Sequence, residues 1–460
     1  MKTREYDLII LGGGPAGYIA AERAGALGKS VLLLEERWIG GTCLNEGCIP
    51  TKTLLYGAKL YKQARSGEAF GVTAENVVFN LATAVAYKNK TVTTLQKGVR
   101  SQLKQHGVEV REARGELVRP GVVLVEGEEL WSRYILLAQG SDTARPGIPG
   151  IEGNSRVLTS REILNLDSPP ERLVVIGGGY IGMEFASLFA AIGTKVTVVE
   201  MMREIIPTIQ PDLAATLRKH LKDVEFRLGY RVDRVDQGTV HVSQPGVDAE
   251  ERIDADTVLL STGRVPRGRS EKLDKAGVAL RGNAVVVDEY MRTNLPGVYA
   301  AGDITGRILL AHVAYRMGEV AVAHMFGERR SNRMRYDAIP WVVFTAPEVA
   351  GCGLNPEEAR NEGYSVVTAT VPLQVSGRYL AENPREKGTV TVVTDKRDGR
   401  LLGVQMLGTG VGEIIHSAAA MIDAGLRVPE IREIVFPHPT VSEAVRDAVW
   451  ALGYHSKQDR

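Results

Sequence analysis

The chain has 460 residues, too many for one hydrophobic core, and its length predicts about three domains. Its 44% hydrophobic and 24% charged residues are ordinary for a globular protein, and a net charge of +1 gives no electrostatic footing for nucleic acid or an anionic membrane. No apolar run approaches the ~18 residues needed to span a bilayer. Met1-Lys2-Thr3-Arg4-Glu5 leads almost directly into an apolar run without a signal-peptide core, so the expected location is the cytoplasm. Three cysteines, Cys43, Cys48 and Cys352, are too few for an extracellular disulfide scaffold, and no second half of a zinc site accompanies them. Two of them lie close together, which in a reducing compartment points to redox chemistry.

Residues 8–36 read LIILGGGPAGYIAAERAGALGKSVLLLEE. The apolar run predicts a buried parallel strand, the Ala-rich stretch a helix, and the second apolar run another strand, ending at Glu35. Between the first strand and the helix stands G-x-G-x-x-G, formed by Gly12, Gly14 and Gly17. In this pattern the first glycine permits the tight turn, the second lets a diphosphate approach the backbone, and the third lets helix and strand pack closely. The diphosphate then lies at the helix N-terminus, where unpaired N–H groups and the helix dipole favour negative charge. The acid closing the second strand is expected to accept hydrogen bonds from ribose hydroxyls.

Next comes GGTCLNEGCIPTK, residues 40–52. On one continuous helix an offset of five would place Cys43 and Cys48 about 140° apart. For the pair to close a disulfide, Cys43 must lie in an incoming loop and Cys48 near a helix start. There the dipole favours the thiolate form that exchange requires. On spacing alone, two buried structural cysteines are the alternative.

The first motif returns at residues 173–200, LVVIGGGYIGMEFASLFAAIGTKVTVVE, with Gly177, Gly179, Gly182 and Glu200. In both copies the acid follows the third glycine by 18 residues. One such loop is a weak signal, but two in the same strand–helix–strand setting predict two bound dinucleotides. A carboxylate at Glu200 would repel a 2′-phosphate, and Met201 and Met202 offer it no cation. Arg203 lies slightly further on. NAD is favoured over NADP.

GGTCLNEGCIPTK resembles the active-site segment of the pyridine nucleotide–disulfide oxidoreductases, specifically their dihydrolipoamide dehydrogenase branch, and the resemblance runs along nearly the whole chain. It implies an α/β fold of two Rossmann-like dinucleotide-binding domains plus a C-terminal α+β dimerisation domain. The segments are 1–147 for FAD with the redox pair, 148–272 for NAD, 273–338 returning to the FAD unit, and 339–460 for dimerisation. It makes Cys43 the thiol that meets substrate and Cys48 the thiol against the flavin. Lys52 falls beside the flavin ring, with Glu184 as its partner. MRTNLPGVYAAGDITG, residues 291–306, matches a second FAD contact at Asp303, and Gly140 belongs to the turn closing the first FAD segment. Thr262-Gly263-Arg264-Val265-Pro266 matches the turn closing the NAD unit, with Gly263 at that cofactor.

FPHPTVSEAV, residues 436–445, resembles the family's His–Glu pair, giving His438 as base and Glu443 as its orienter, facing the other subunit's disulfide in a homodimer. Histidine's unperturbed pKa of ~6.5 suits proton exchange near neutrality, and a carboxylate on the far ring nitrogen fixes the tautomer. His416 and Cys352 are read as ordinary residues, the first packed on an amphipathic helix and the second following a turn as a small apolar side chain.

Three departures stand out. Ala138-Gln139-Gly140-Ser141 replaces the family's usual Ala-Thr-Gly-Ser, with tolerated packing expected. Tyr180 stands where the branch often has an aliphatic residue and could gate the nicotinamide site, and Phe436-Pro437 precedes the histidine in place of a small or polar pair. The resemblance implies a ping-pong oxidation of dihydrolipoamide through the cysteine pair and FAD to NAD. The expected partner is a lipoyl domain on the acyltransferase core of a 2-oxoacid dehydrogenase complex, or the glycine-cleavage H protein. A glutathione reductase would want a cationic site where Glu200 stands, and a mercuric reductase a C-terminal cysteine pair, which is missing after Cys352. A non-catalytic NAD/FAD-binding scaffold would not need Cys43, Cys48, His438 and Glu443 together.

Overall fold

The apolar run at residues 8–11 becomes the middle of the parallel part of a mixed sheet, with Leu8, Ile9 and Ile10 fully buried. The computed structural model describes residues 5–247, 249–327 and 333–453. Residues 1–4, on which part of the expectation about the start of the chain rests, lie outside them. Strand Glu5–Leu11 pairs in parallel with Val31–Leu34 on one side and Glu128–Leu137 on the other, Ile10 standing opposite Leu33 and Leu136. Across the sheet the order is Glu109–Arg111, Val31–Leu34, Glu5–Leu11, Glu128–Leu137, Val122–Val125 and Gly115–Arg119. Strand Val298–Ala300 returns from far along the chain to pair with the end of Glu128–Leu137. Its following helix, Ala311–Phe326, packs on Pro15–Ala26 at glycine distance: a Cβ on Gly318 would sit 2.6 Å from the Ala16 carbonyl oxygen.

The second glycine motif opens a second parallel sheet of Val224–Leu228, Lys195–Glu200, Arg172–Ile176, Thr257–Leu260 and Val157–Leu158. Its helix Tyr180–Ala191 is buried without a break from Gly182 to Phe189, as expected of a helix apolar nearly all round. Glu184 is the one acid in that buried stretch. An antiparallel sheet of Arg231–Asp236, Thr239–Ser243 and Glu250–Asp254 packs against this unit through Val235, Val240 and Val258.

The C-terminal part is an antiparallel sheet, Trp341–Val343, Val349–Gly353, Leu401–Leu407, Thr389–Asp395 and Val366–Pro372, under helices Val411–Asp423 and Glu443–Ala451. The architecture is thus two Rossmann-like units and a C-terminal α+β domain.

Cys352 lies in strand Val349–Gly353, which follows the bend at residues 345–347, and is fully buried in the C-terminal core as a small apolar side chain. One local expectation needs correction. His416 is exposed: the buried stripe of its helix runs through Ile415, Ala418 and Ile422, and one residue of rotation, about 100°, carries position 416 away from it. Among the described residues no helix is long and apolar enough to cross a membrane.

Candidate active site

The two glycine loops adopt one conformation. Gly12 and Gly177 have φ of 107° and 102°, a left-handed region that glycine enters freely. A Cβ on Gly17 would lie 1.9 Å from the Gly12 carbonyl oxygen, and one on Gly182 would lie 2.1 Å from that of Gly177. The middle glycines are different: a Cβ on Gly14 meets only the Gly41 Cα, at 3.9 Å, and one on Gly179 meets nothing within 4 Å. Packing consumes the space at the third glycine and leaves it open at the second, where a diphosphate must approach.

Both acids are anchored in the same way. The Gly13 N–H donates to Glu35 Oε2 at 2.7 Å, and the Arg37 N–H to Oε1 at 2.9 Å. Likewise the Gly178 N–H donates to Glu200 Oε2 at 2.7 Å, and the Met202 N–H to Oε1 at 2.8 Å. Each carboxylate therefore fixes its own glycine loop, a role the spacing alone did not reveal. Each oxygen retains capacity to accept from a ribose hydroxyl.

A continuous cavity of about 1660 Å³ joins the two loops. That exceeds the ~300–1,000 Å³ of an ordinary small-molecule site. Gly140, Gly263 and Asp303 line it, as do Glu35, Glu200, Lys52, Glu184 and both cysteines of the redox segment. Two open cradles, each with an anchored acid, fit two dinucleotides.

Cys43 and Cys48 form a disulfide with Cα atoms 4.7 Å apart. Cys48 opens helix Cys48–Arg65, but Cys43 lies in a short helix, Gly41–Glu46, and not in a loop. The chain meets the geometric requirement by breaking the helix between them at Gly47, with φ −144° and ψ −108°. Asn45 ties the first helix down, its Nδ2 donating to the carbonyls of Ile39 at 3.0 Å and Gly41 at 2.8 Å. A Cβ on Gly41 would stand 2.6 Å from the Gly14 Cα, so the redox segment rests directly on the first dinucleotide loop.

Lys52, one turn into the helix that Cys48 opens, reaches Glu184 with Nζ 2.9 and 2.8 Å from the two carboxylate oxygens. The Phe344 N–H donates to Glu184 Oε1 at 3.1 Å, and the Lys52 ammonium stands 4.6 Å from the Phe344 ring centre. Asp303 accepts from Ser141 Oγ at 2.5 Å, and the same hydroxyl accepts from Arg264 Nε at 2.8 Å. Burial pulls the Arg264 guanidinium below its usual pKa, and the Asp303 carboxylate 3.9 Å away opposes that. Sequence reasoning missed Ser141, Arg264 and Phe344, because what singles each out is a partner remote in the chain.

Of the departures, Tyr180 lines the cavity with its hydroxyl 2.9 Å from Thr208 Oγ1 and its ring edge-on to Trp341. Gln139 lines the cavity next to Gly140, with its Oε1 buried. Phe436 packs against the C-terminal core while Pro437 is exposed.

His438 Nδ1 lies 2.9 Å from Glu443 Oε1, and the Thr440 N–H donates to Glu443 Oε2 at 3.0 Å. The carboxylate is buried at 6% exposure while the imidazole is 77% exposed. The His438 hydrogen bond first, then the Thr440 N–H, hold the Glu443 carboxyl below its usual range, and Arg446 at 3.4 Å adds to this. His438 does not line the cavity that contains its own chain's disulfide.

Residues 6–318 match the pyridine nucleotide-disulphide oxidoreductase family, and residues 339–449 match its dimerisation domain. Dihydrolipoyl dehydrogenase 2 of Haloarcula marismortui is 37% identical over 98% of this chain and 97% of its own. The dihydrolipoyl dehydrogenase of Pseudomonas aeruginosa is 36% identical over 97% and 98%. Among solved structures, an HOCl-induced flavoprotein disulfide reductase from Escherichia coli aligns with a TM-score of 0.86, 30% identity, and coverage of 97% of this chain and 100% of that one. Both sequence motifs, the geometry of the joined cavity and these matches agree that the chain belongs to the pyridine nucleotide-disulphide oxidoreductase family.

Proposed function

We propose that the protein oxidises dihydrolipoamide to lipoamide, using its Cys43–Cys48 disulfide with FAD and NAD. The observation that carries this reading is the disulfide packed on the first dinucleotide loop, within a cavity that the second loop shares. The full-length relatives named dihydrolipoyl dehydrogenase supply the substrate.

A substrate thiol gives its proton to His438 of the partner subunit, and the thiolate attacks Cys43 Sγ. The Cys43–Cys48 bond breaks, leaving a mixed disulfide at Cys43 and a thiolate at Cys48. The second substrate thiol attacks the substrate sulfur of that mixed disulfide as its proton passes to the departing Cys43 Sγ, which releases lipoamide and returns Cys43 as a thiol. Bound FAD supplies a two-electron acceptor for the reduced pair, and NAD the final hydride acceptor. Glu443 orients the imidazole, and Lys52, held by Glu184, fixes a positive charge at the flavin side. Gly12, Gly14, Gly17, Glu35, Gly140 and Asp303 would hold FAD. Gly177, Gly179, Gly182, Glu200 and Gly263 would hold NAD.

The dimerisation-domain match supports a homodimer. On this reading its partner is a lipoyl domain of a 2-oxoacid dehydrogenase complex or the glycine-cleavage H protein, in the cytoplasm. Segments 1–147, 148–272, 273–338 and 339–460 are the proposed domains. Steady-state assay tests the reading: dihydrolipoamide plus NAD should yield NADH, and Cys48→Ser should abolish it. Faster turnover of glutathione disulfide with NADPH would assign a different substrate.

A further inference from the structure

The four residues between the two cysteines include one ionisable side chain, Glu46, and disulfide exchange makes no use of it. It is nevertheless buried, at 8% exposure, and lines the same cavity as both cysteines. Two cations hold it. Arg37 Nη2 lies 2.6 Å from Oε1, and Arg161 Nε lies 2.7 Å from Oε2. Arg37 follows the first dinucleotide's acid, to which its backbone N–H is bonded, while Arg161 belongs to the short helix Ser160–Ile163 at the start of the second unit. One carboxylate thus ties the redox segment to both nucleotide units. Glu46 and Cys43 are three apart on helix Gly41–Glu46, a spacing that puts side chains side by side, about 5–6 Å between Cβ atoms.

We propose that Glu46 is a positioning residue which, with Arg37 and Arg161, sets the reduction equilibrium of the Cys43–Cys48 disulfide. The proposal rests on the reading of that disulfide as redox-active. When a dithiol reduces the pair, two electrons and one proton pass to Cys43 and Cys48, the dithiol closes to its own disulfide, its other proton goes to solvent, and one thiolate is left on the segment. Nearby positive charge favours the thiolate and hence the reduced form, and negative charge opposes it. One carboxylate against two guanidinium groups leaves a local excess of one positive charge. Glu46→Gln raises that excess to two, and Arg161→Met lowers it to zero. The two changes therefore shift the equilibrium in opposite directions. A merely structural clamp would loosen in both variants and shift it the same way.

The test equilibrates the FAD-loaded dimer anaerobically with reduced and oxidised dithiothreitol and counts reduced cysteines by alkylation and mass. Glu46→Gln should favour the reduced pair by about three- to tenfold, and Arg161→Met the disulfide by a similar factor. Arg161→Lys, which keeps the charge, should stay near the parent value. Shifts of the same sign, or no shift in Arg161→Met, overturn the proposal. Should Glu46→Gln not fold, the two Arg161 variants decide alone. A parent disulfide that dihydrolipoamide cannot reduce would overturn the functional reading instead.

Discussion

Lys52 and Glu184, 132 positions apart, close an ion pair between the helix that Cys48 opens and the buried helix of the second nucleotide unit. Phe344 of the C-terminal domain bonds the same carboxylate through its backbone N–H. Glu184→Leu would leave an ammonium and an N–H without their acceptor. It should cost about 2–3 kcal/mol of stability, since a buried donor left unpaired is more expensive than a bond never made. It should also slow reduction of the bound flavin by about tenfold. Denaturant unfolding of the FAD-loaded protein and stopped-flow absorbance measure the two effects.

The third glycines separate the two nucleotide sites. An added methyl on Gly17 would strike the Gly12 carbonyl, and one on Gly182 both the Gly177 carbonyl and Ser261 Oγ, at 2.1 and 2.5 Å. Gly17→Ala should yield protein that has lost its yellow cofactor. Gly182→Ala should retain flavin and raise the KM for NAD by about tenfold or more. Absorbance after gel filtration, followed by NAD saturation curves, distinguishes these outcomes.

Glu200 Oε2 is held by the Gly178 N–H, so its charge cannot swing away from an incoming 2′-phosphate. Selectivity for NAD over NADP in kcat/KM should therefore be large, about 100-fold or more. Glu200→Gln keeps an acceptor for the loop while removing the charge, and should narrow that ratio by about tenfold.

The imidazole and carboxylate at the C-terminus give a pH prediction with a definite sign. The Glu443 carboxyl is held low by the His438 hydrogen bond and the Thr440 N–H. Its stabilising contribution is present above the ordinary carboxylate range and lost as pH falls through the lowered value. Glu443→Gln removes that titration, so the variant should lose less stability than the parent on acidification below the carboxylate range. It should also reduce kcat/KM with dihydrolipoamide about 10- to 100-fold, because the imidazole loses the group that orients it. Denaturant unfolding across pH and steady-state rates check the two effects.

Burial pushes the Cys352 thiol up to about 12, so it stays protonated and unreactive near neutrality. The reduced native protein should take up two equivalents of iodoacetamide per chain, and a third only after unfolding. Intact-mass spectrometry reads the count.

What could be read from the chain was local. The two glycine loops, the CxxxxC segment and the His438–Glu443 spacing each place their chemistry within a few dozen residues. Strand–helix–strand alternation carried the fold class because apolar runs bounded by glycine leave few alternatives. The relations that escaped depend on distant partners. Glu46 looks like a solvated acid until Arg37 and Arg161 converge on it, and Ser141 looks like a turn residue until Asp303 and Arg264 meet at its hydroxyl. Cys43 was misplaced into a loop because one glycine, Gly47, is enough to split a helix in two. His416 was misjudged by one step of helical rotation, which periodicity in so short a segment does not resolve.

The central claim is that substrate electrons enter through sulfur and reach the flavin by way of Cys48. Anaerobic addition of one equivalent of dihydrolipoamide per FAD-loaded chain tests it most directly, with absorbance recorded from the flavin maximum to long wavelength. The account predicts a new long-wavelength thiolate-to-flavin band, with two free thiols and little bleaching, and its loss in Cys48→Ser. Direct bleaching of the flavin with the disulfide still intact would contradict it.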